Sequence, residues 1–211
     1  MIAMKNKIHS VIFDLDGTLA DSAILTVAAF AQVMPEFGLP VLDAQTIKKA
    51  IGYANPEFYF ILFPDFPREI VLEAGAKTEE IELKVLSTMG DTILFKDCHE
   101  LLLRLKEKGI RLYIASTGDH DHVHGILSAA KIHELFESVS CGRPDKVEML
   151  REIIDERNKD GYVMVGDMSK DYDAARANGI MSVGARFGYC RADDLGFDVT
   201  IDSPLELLDM I

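Results

Sequence analysis

Three segments of the chain place acidic and hydroxyl side chains directly after short apolar runs. Asp14-Leu15-Asp16-Gly17-Thr18 follows VIF, Ser116 follows LYIA, and Asp167 follows VMVG, with Asp171 four residues further on. Clustered carboxylates repel one another and are costly to bury unless a cation neutralises them. A set of oxygen ligands suits Mg²⁺, which keeps water molecules and shares the oxygens of a phosphate. These residue types therefore predict magnesium-assisted chemistry on a phosphate group.

The spacing of Asp14 and Asp16 allows the two carboxylates to do different work. One carboxylate can attack phosphorus to give an aspartyl-phosphate. The second, two residues on, points to the same side of an extended chain and can handle the proton. Backbone N–H groups of the turn at residues 15–18 can hold the phosphate, with Ser116 and Lys146 as further donors to its oxygens.

Alternating strands and helices are the elements that must bring these side chains together. Apolar runs at residues 8–13, 110–116 and 162–167 are typical of buried strands, and LFESVSCG, IMSVGA and VTI each hold one more. Helical patterns separate the strands, and one of them is predicted to run through DKVEMLREIIDERNKDG to Gly161. This alternation predicts an α/β fold with a parallel sheet. Ligands bind outside the carboxyl ends of such strands.

A helical segment interrupts the alternation directly after the first strand. Four helical patterns follow one another there, at residues 22–36, 43–51, 56–63 and 68–88. Ser22 is the expected N-cap of the first helix, and the aromatic run FYFILF is expected in the core of the segment. We therefore predict a core domain of residues 1–19 and 96–211, with an inserted helical domain of residues 20–95.

In their order and composition, these motifs resemble those of the haloacid dehalogenase superfamily. VIFDLDGTLADS is similar to the superfamily's first motif, YIAST to its second, Lys146 to its third and VMVGDMSKD to its fourth. The resemblance implies a Rossmann-like core with an inserted helical C1 cap. In that group the cap closes over the substrate and sets specificity.

The resemblance also implies roles for the two carboxylates of the first motif. Asp14 would be the nucleophile and a magnesium ligand. Asp16 would be the general acid and base, with its backbone carbonyl on the metal. The dehalogenase branch of the superfamily lacks this second aspartate, and the phosphonatase branch has a small residue there. Asp16 therefore argues for phosphate ester chemistry.

Five further residues receive roles from the later motifs. Ser116, with Thr117 beside it, would bind the transferring phosphoryl group. Lys146 would neutralise the charge of that group and orient Asp14. Asp167 would ligate Mg²⁺, and Asp171 would support the metal site.

Two positions depart from the usual pattern of the superfamily. Its lysine often precedes a proline, whereas here Arg143 stands before Pro144. Lys146 is the preferred residue because it opens a helix, and Arg143 is the alternative. Thr117-Gly118 stands where many relatives have Asn and a basic residue, which leaves the contacts beyond the phosphoryl group open.

Three of the six histidines alternate in the segment STGDHDHVHG. Such alternation suits a transition-metal site on a strand, but a glycine ends the strand before them. At the start of a helix, His120 and His124 share a face while His122 points about 200° away. We expect structural or solvated roles. If one of the three contacts substrate, His120 is the candidate because it lies nearest to Ser116.

The composition and net charge of the chain limit the binding partners and the cellular compartment that we expect. Hydrophobic residues make up 48% of the 211 residues, which is enough for a buried core. The chain carries a net charge of −13. Such an acidic balance disfavours nucleic acid and anionic membranes. No apolar run reaches the roughly 18 residues that span a bilayer, and the start shows no signal peptide. Three cysteines without a CxxC pair predict reduced thiols in the cytoplasm. We expect a monomer or weak homodimer.

The leading hypothesis is a Mg²⁺-dependent phosphatase that hydrolyses a small phosphorylated metabolite. The layout resembles that of phosphoglycolate phosphatase, and a phosphomutase like β-phosphoglucomutase is the main alternative. A signalling receiver module and a phosphate-binding protein without turnover are weaker alternatives. The substrate stays open. Lys48, Lys49 and Tyr53 of the inserted segment are candidates to contact it.

Overall fold

A six-stranded parallel sheet forms the centre of the molecule. The computed structural model describes residues 8–190 and 192–211. The strands are β1 (Ser10–Phe13), β2 (Arg111–Ala115), β3 (Phe136–Ser140), β4 (Tyr162–Gly166), β5 (Met181–Ala185) and β6 (Val199–Ile201). They pair in parallel in the order β3-β2-β1-β4-β5-β6. The predicted Rossmann-like α/β fold is confirmed.

Strand β1 lies between β2 and β4, and all four of its side chains are buried. Successive side chains of a strand point to opposite faces. Val11 and Phe13 accordingly pack into one apolar cluster, and Ile12 packs into the cluster on the other face. A strand that is apolar on both sides needs helices above and below it.

Four helices cover the two faces of the sheet. They are α5 (Cys98–Glu107), α6 (His120–Ala129), α7 (Lys146–Ile153) and α8 (Ser169–Asn178). Helices α5 and α6 bury leucine, isoleucine and valine side chains in the cluster of Val11 and Phe13. Helices α7 and α8 pack in the cluster of Ile12.

The inserted segment consists of four helices with an apolar cluster of their own. They are α1 (Ala23–Val33), α2 (Ala44–Ala50), α3 (Glu57–Leu62) and α4 (Arg68–Met89). Phe30 packs against Phe58, Tyr59 and Phe63 with ring centroids 5.8–6.2 Å apart, so the aromatic rings of the run lie in this core as predicted, while Ile61 is 44% exposed. Leu86 of α4 joins the core beneath the sheet and holds the segment against it.

The predicted domain boundaries stay a prediction. Residues 1–7 and Arg191 of the predicted core lie outside the described residues.

Two local predictions are wrong. The helix predicted to reach Gly161 ends at Ile153, because Ile154 is extended and Asp155 starts a separate 3₁₀ turn by accepting a hydrogen bond from the N–H of Arg157. Ser22 is not a side-chain N-cap of α1, since its backbone is already helical and its side chain caps no helix N–H. Its hydroxyl instead bonds to Asp16.

The three cysteines are free thiols, as predicted. Within residues 8–190 and 192–211, every helix is too short or too polar to cross a membrane.

Candidate functional site

Neighbouring strands bring the predicted site residues to one edge of the sheet. Asp14 follows β1, Ser116 follows β2 and Asp167 follows β4, and β1 pairs with both of the other strands. All three residues are buried. Because the carboxyl ends of parallel strands meet at one edge, the order of the sheet alone places them together.

Three carboxylates gather at this edge around one lysine. Asp14, Asp167 and Asp171 each contribute an oxygen to a group whose atoms lie within 4.8 Å of one another. Lys146 Nζ lies 2.8 Å from Asp14 Oδ1 and donates to Asp171 Oδ1 at 2.6 Å. Lys146 is 5% exposed, so its charge acts on the carboxylates with little screening by solvent.

The electrostatics of this group call for a further cation. Burial raises the pKa of Asp14 well above its usual range, and the charges of Asp171 and Asp167 raise it further, while Lys146 lowers it. Burial and Asp171 also raise the pKa of Asp167 to about 7. One lysine therefore does not neutralise three carboxylates, and their all-oxygen donor set fits a hard divalent cation.

Backbone groups hold the outer carboxylates in place. Asp167 Oδ2 accepts hydrogen bonds from the N–H of Tyr189 at 2.7 Å and of Cys190 at 3.3 Å. Asp171 Oδ2 accepts one from the N–H of Met168 at 3.0 Å. Gly17 makes room for Asp167, because a Cβ at Gly17 would lie 2.7 Å from Asp167 Oδ2 and its φ of +83° favours glycine.

Asp16 lies outside the group of three carboxylates and belongs to a second set of contacts. Its Oδ1 lies 2.7 Å from Nε2 of His122, and the Ser22 hydroxyl also bonds to it. Burial alone would raise the pKa of Asp16, but His122 and Ser22 lower it. Burial likewise opposes the charge on His122, yet Asp16 raises the pKa of His122 to about 9. Near neutral pH the two form an ion pair that carries one proton.

The histidine that contacts Asp16 is His122, and a substrate contact of His120 stays a prediction. Asp119 caps α6 by accepting a hydrogen bond from the N–H of His122 at 3.0 Å. With the helix started there, His122 faces inward to Asp16. The side chain of His120 is 76% exposed beside Asp121. The sequence predicts the offset of about 200° between His120 and His122. Asp119, as the N-cap of α6, decides which face of the helix lies toward the crevice.

The ion pair predicts a pH-dependent stability. The folded pKa of His122, about 9, lies above the unfolded value near 6.5, so its stabilisation is full below about pH 6.5 and is lost as pH rises through about 9. In apoprotein, the wild type should exceed His122→Gln in unfolding free energy by on the order of 2 kcal/mol at pH 6. That difference should shrink by pH 9.5. Urea titrations at both pH values with a chelator measure it.

Exposed His120 supplies the matched control for this experiment. His120→Gln should change the unfolding free energy by less than about 0.5 kcal/mol at both pH values. A wild-type advantage over His122→Gln that stays constant from pH 6 to pH 9.5 contradicts the ion pair.

The structure separates the two candidates for the basic residue of the site. Lys146 contacts Asp14 as described above. Arg143 instead binds Glu152 at 2.6 Å and the Ser140 hydroxyl at 2.9 Å, with its side chain 42% exposed. Lys146 is therefore the basic side chain that the fold brings to the carboxylates.

The hydroxyls after β2 have different surroundings. Ser116 Oγ accepts a hydrogen bond from the N–H of Gly118 at 3.1 Å and stays at the sheet edge. Thr117 Oγ1 donates to the carbonyl of Gly52 at 2.9 Å, which ties the core to the inserted segment. A role in phosphate binding stays a prediction for both residues.

The phosphate cradle predicted from the turn at residues 15–18 is only partly available. The N–H of Gly17 donates to the carbonyl of Ala20 at 2.9 Å, and the N–H of Thr18 donates to that of Leu15 at 3.3 Å. These two groups hold the turn in shape, so the prediction is wrong for them.

Sequence reasoning missed Tyr189, which joins the two halves of the site. Besides its N–H on Asp167, its hydroxyl donates to Asp21 Oδ1 at 2.9 Å and accepts from the N–H of Ala23 at 2.9 Å. Tyr189 follows β5, whose carboxyl end meets the same edge of the sheet. The segment FGYC after that strand was the available signal.

The chain is similar in sequence to a known protein family and to individual proteins. A family model described as haloacid dehalogenase-like hydrolase matches residues 11–185. The Mycobacterium tuberculosis protein named Tyrosine-protein kinase PtkA is 31% identical over 198 residues, which cover 87% of this chain and 64% of that protein. The chain thus spans slightly less than two thirds of that relative.

Two further similarities cover nearly the whole of both chains. Phosphoglycolate phosphatase of Synechococcus elongatus is 26% identical over 220 residues, covering 96% of this chain and 97% of that protein. The crystal structure of a predicted phosphoglycolate phosphatase from Haemophilus somnus has a TM-score of 0.87 at 20% identity, covering 97% and 98%. At that identity, the structural similarity shows the fold alone.

Proposed function

From the premise that the chain belongs to the haloacid dehalogenase-like hydrolases, we propose that it is a Mg²⁺-dependent phosphatase of small phosphorylated metabolites. The observation that carries this proposal is the environment of Asp14. Its buried carboxylate meets Lys146 at 2.8 Å and shares a group of oxygens with Asp167 and Asp171. Asp16, two residues further along the chain, is paired with His122, whose imidazole can carry a proton.

The donor set supports Mg²⁺ as the cofactor. Asp14 and Asp167 would hold the ion with their carboxylates, Asp16 with its backbone carbonyl, and Asp171 would support the site. Bound Mg²⁺ would neutralise the carboxylates and polarise the phosphoryl oxygens.

The proposed reaction has two steps at phosphorus. A carboxylate oxygen of Asp14 forms a bond to phosphorus while the bond to the leaving oxygen breaks, and the leaving oxygen takes a proton from the Asp16–His122 pair. Asp16 then accepts a proton from a water molecule that attacks phosphorus, which frees phosphate and restores Asp14. Lys146 and Ser116 stabilise the charge on the phosphoryl oxygens in both steps.

The relatives support phosphoryl transfer but differ in the acceptor. Relatives named phosphoglycolate phosphatase and N-acetylmuramic acid 6-phosphate phosphatase transfer phosphate to water, whereas a kinase transfers it to a protein. The arrangement of Asp14 and Asp16 suits water as the acceptor, since one carboxylate is the nucleophile and the other accepts a proton.

A phosphate-release assay tests the proposal. The purified chain with Mg²⁺ should release phosphate from a generic aryl phosphate and from members of a panel of phosphorylated metabolites. A chelator should stop the release and added Mg²⁺ should restore it. Absence of release from every compound contradicts the proposal. An isomerised sugar phosphate without free phosphate would indicate a mutase, and transfer from ATP to tyrosine would indicate a kinase.

A further inference from the structure

A cavity between the inserted helices and the core lies on the Asp16 side of the site. Its volume is about 130 Å³, and its walls come from α1, α3, α4 and the start of α6. The group that protonates a leaving oxygen must lie within hydrogen-bond reach of that oxygen. Because Asp16 lines this cavity, the leaving group of a phosphate ester would extend into it.

The charged side chains of the cavity are nearly all acidic. Glu79, Glu82, Asp119 and Asp121 line it, and the described lining contains neither lysine nor arginine. Among the described residues that line the cavity, His122 is the one basic side chain. Its Nε2 already lies 2.7 Å from Asp16 Oδ1. A ligand in this cavity therefore meets a surplus of carboxylates.

Glu82 supplies an independent sign of a missing partner. It is 8% exposed, and in the described part of the chain its Oε1 has no hydrogen-bond partner. Its carboxyl group bonds to Thr26. Buried polar atoms in native proteins are nearly always satisfied, and an unsatisfied one is costly. A donor supplied by a ligand would satisfy Oε1.

Neighbouring groups in the cavity are acceptors of the same kind. Glu79 Oε1 accepts from Asn55 Nδ2 at 2.7 Å and from the Tyr59 hydroxyl at 3.3 Å. Burial raises the pKa of both Glu79 and Glu82, although the charge of His122 lowers both.

The lysines near the crevice are engaged elsewhere. Lys48 faces Asp21 at 4.0 Å and lies 5.1 Å from the ring centroid of Tyr189. Lys170 lies over the ring of Tyr53 at 4.3 Å. Neither belongs to the cavity lining, so a carboxylate on the leaving group would find there no cation except His122, which is paired with Asp16.

We propose that the substrate is a small phosphate monoester whose leaving group carries an ammonium, held by Glu82 and Glu79. This inference rests on the proposed phosphatase activity and narrows its substrate class to phosphorylated amino alcohols. An ammonium donates up to three hydrogen bonds and brings positive charge to a lining in which carboxylates outnumber the one basic side chain. A leaving group with a carboxylate, such as glycolate, would face like charges in the same place.

Three monoesters of matched size test the charge of the leaving group. O-phosphoethanolamine carries an ammonium, ethylene glycol monophosphate a hydroxyl and 2-phosphoglycolate a carboxylate on a two-carbon leaving group. With Mg²⁺, kcat/KM should fall in that order, and the ammonium ester should exceed the carboxylate ester by roughly 100-fold. A generic aryl phosphate, assayed in parallel, reports phosphatase activity independent of this preference.

Matched variants locate the preference in the cavity. Glu82→Gln should reduce the ratio of ammonium ester to carboxylate ester at least tenfold, and Glu79→Gln should reduce it as well. Glu80→Gln removes one charge from an exposed position of the same helix and should leave the ratio unchanged.

The possible outcomes separate the inference from the proposed function. Hydrolysis of the aryl phosphate with 2-phosphoglycolate equal to or better than the ammonium ester overturns the inference and leaves the phosphatase proposal standing. A ratio that Glu82→Gln and Glu79→Gln both leave intact also overturns the inference. No hydrolysis of any ester overturns both.

Discussion

Replacement of Asp14 by asparagine should reduce kcat for a generic aryl phosphate by at least about 10⁴-fold, because it removes the nucleophile. The amide has nearly the same shape and stays beside Lys146, so the loss should come from chemistry and not from unfolding. Stopped assays of released phosphate measure kcat, and circular dichroism checks that the fold is retained.

The control for this substitution is Asp173→Asn. Asp173 is exposed on α8, two residues from Asp171, and its replacement should leave kcat within about twofold. Activity of Asp14→Asn close to that of the wild type would exclude an aspartyl-phosphate on Asp14.

Replacement of Lys146 by methionine should have the second largest effect. It removes the one described cation that contacts Asp14 and Asp171, at 2.8 and 2.6 Å. We expect kcat/KM to fall about 10²- to 10³-fold, because the phosphoryl charge loses a preorganised partner. Removing one partner of a buried ion pair should also lower the unfolding free energy of the apoprotein by about 3 kcal/mol.

The matched control for Lys146 is the alternative basic residue of the same segment. Arg143→Met removes a cation of the exposed pair with Glu152 and should change kcat/KM by less than about threefold, and the unfolding free energy by less than about 1 kcal/mol. A larger loss of activity in Arg143→Met than in Lys146→Met would reverse the assignment of the two residues.

The sheet and its acidic edge could be predicted because both follow from local patterns. Buried parallel strands are short apolar runs, and their carboxyl ends share one edge whatever the order of the strands. Asp14, Ser116 and Asp167 each come directly after such a run, so the end of the run alone predicts their place at the sheet edge. Tyr189 obeys the same rule after β5 but lies four residues beyond the strand, where a loop's path cannot be predicted from periodicity.

The Asp16 side of the site could not be predicted, because it depends on how helices are rotated. Asp119 sets the start of α6, and the start decides that His122 and not His120 faces Asp16. Glu79 and Glu82 lie on a long helix where charged residues ordinarily face solvent. The packing of α4 against α1 and α6 turns them toward the cavity, and that packing arises from contacts far apart in the sequence.

The most direct test of the account is to trap the covalent intermediate during turnover. The chain is mixed with Mg²⁺ and an aryl phosphate, quenched in acid, reduced with borohydride and mapped by mass spectrometry. An acyl phosphate on Asp14 is reduced to homoserine, so we expect homoserine at position 14 and none in the Asp14→Asn variant. A phosphate adduct on Ser116 or His122, or turnover by the Asp14→Asn variant, would contradict the account.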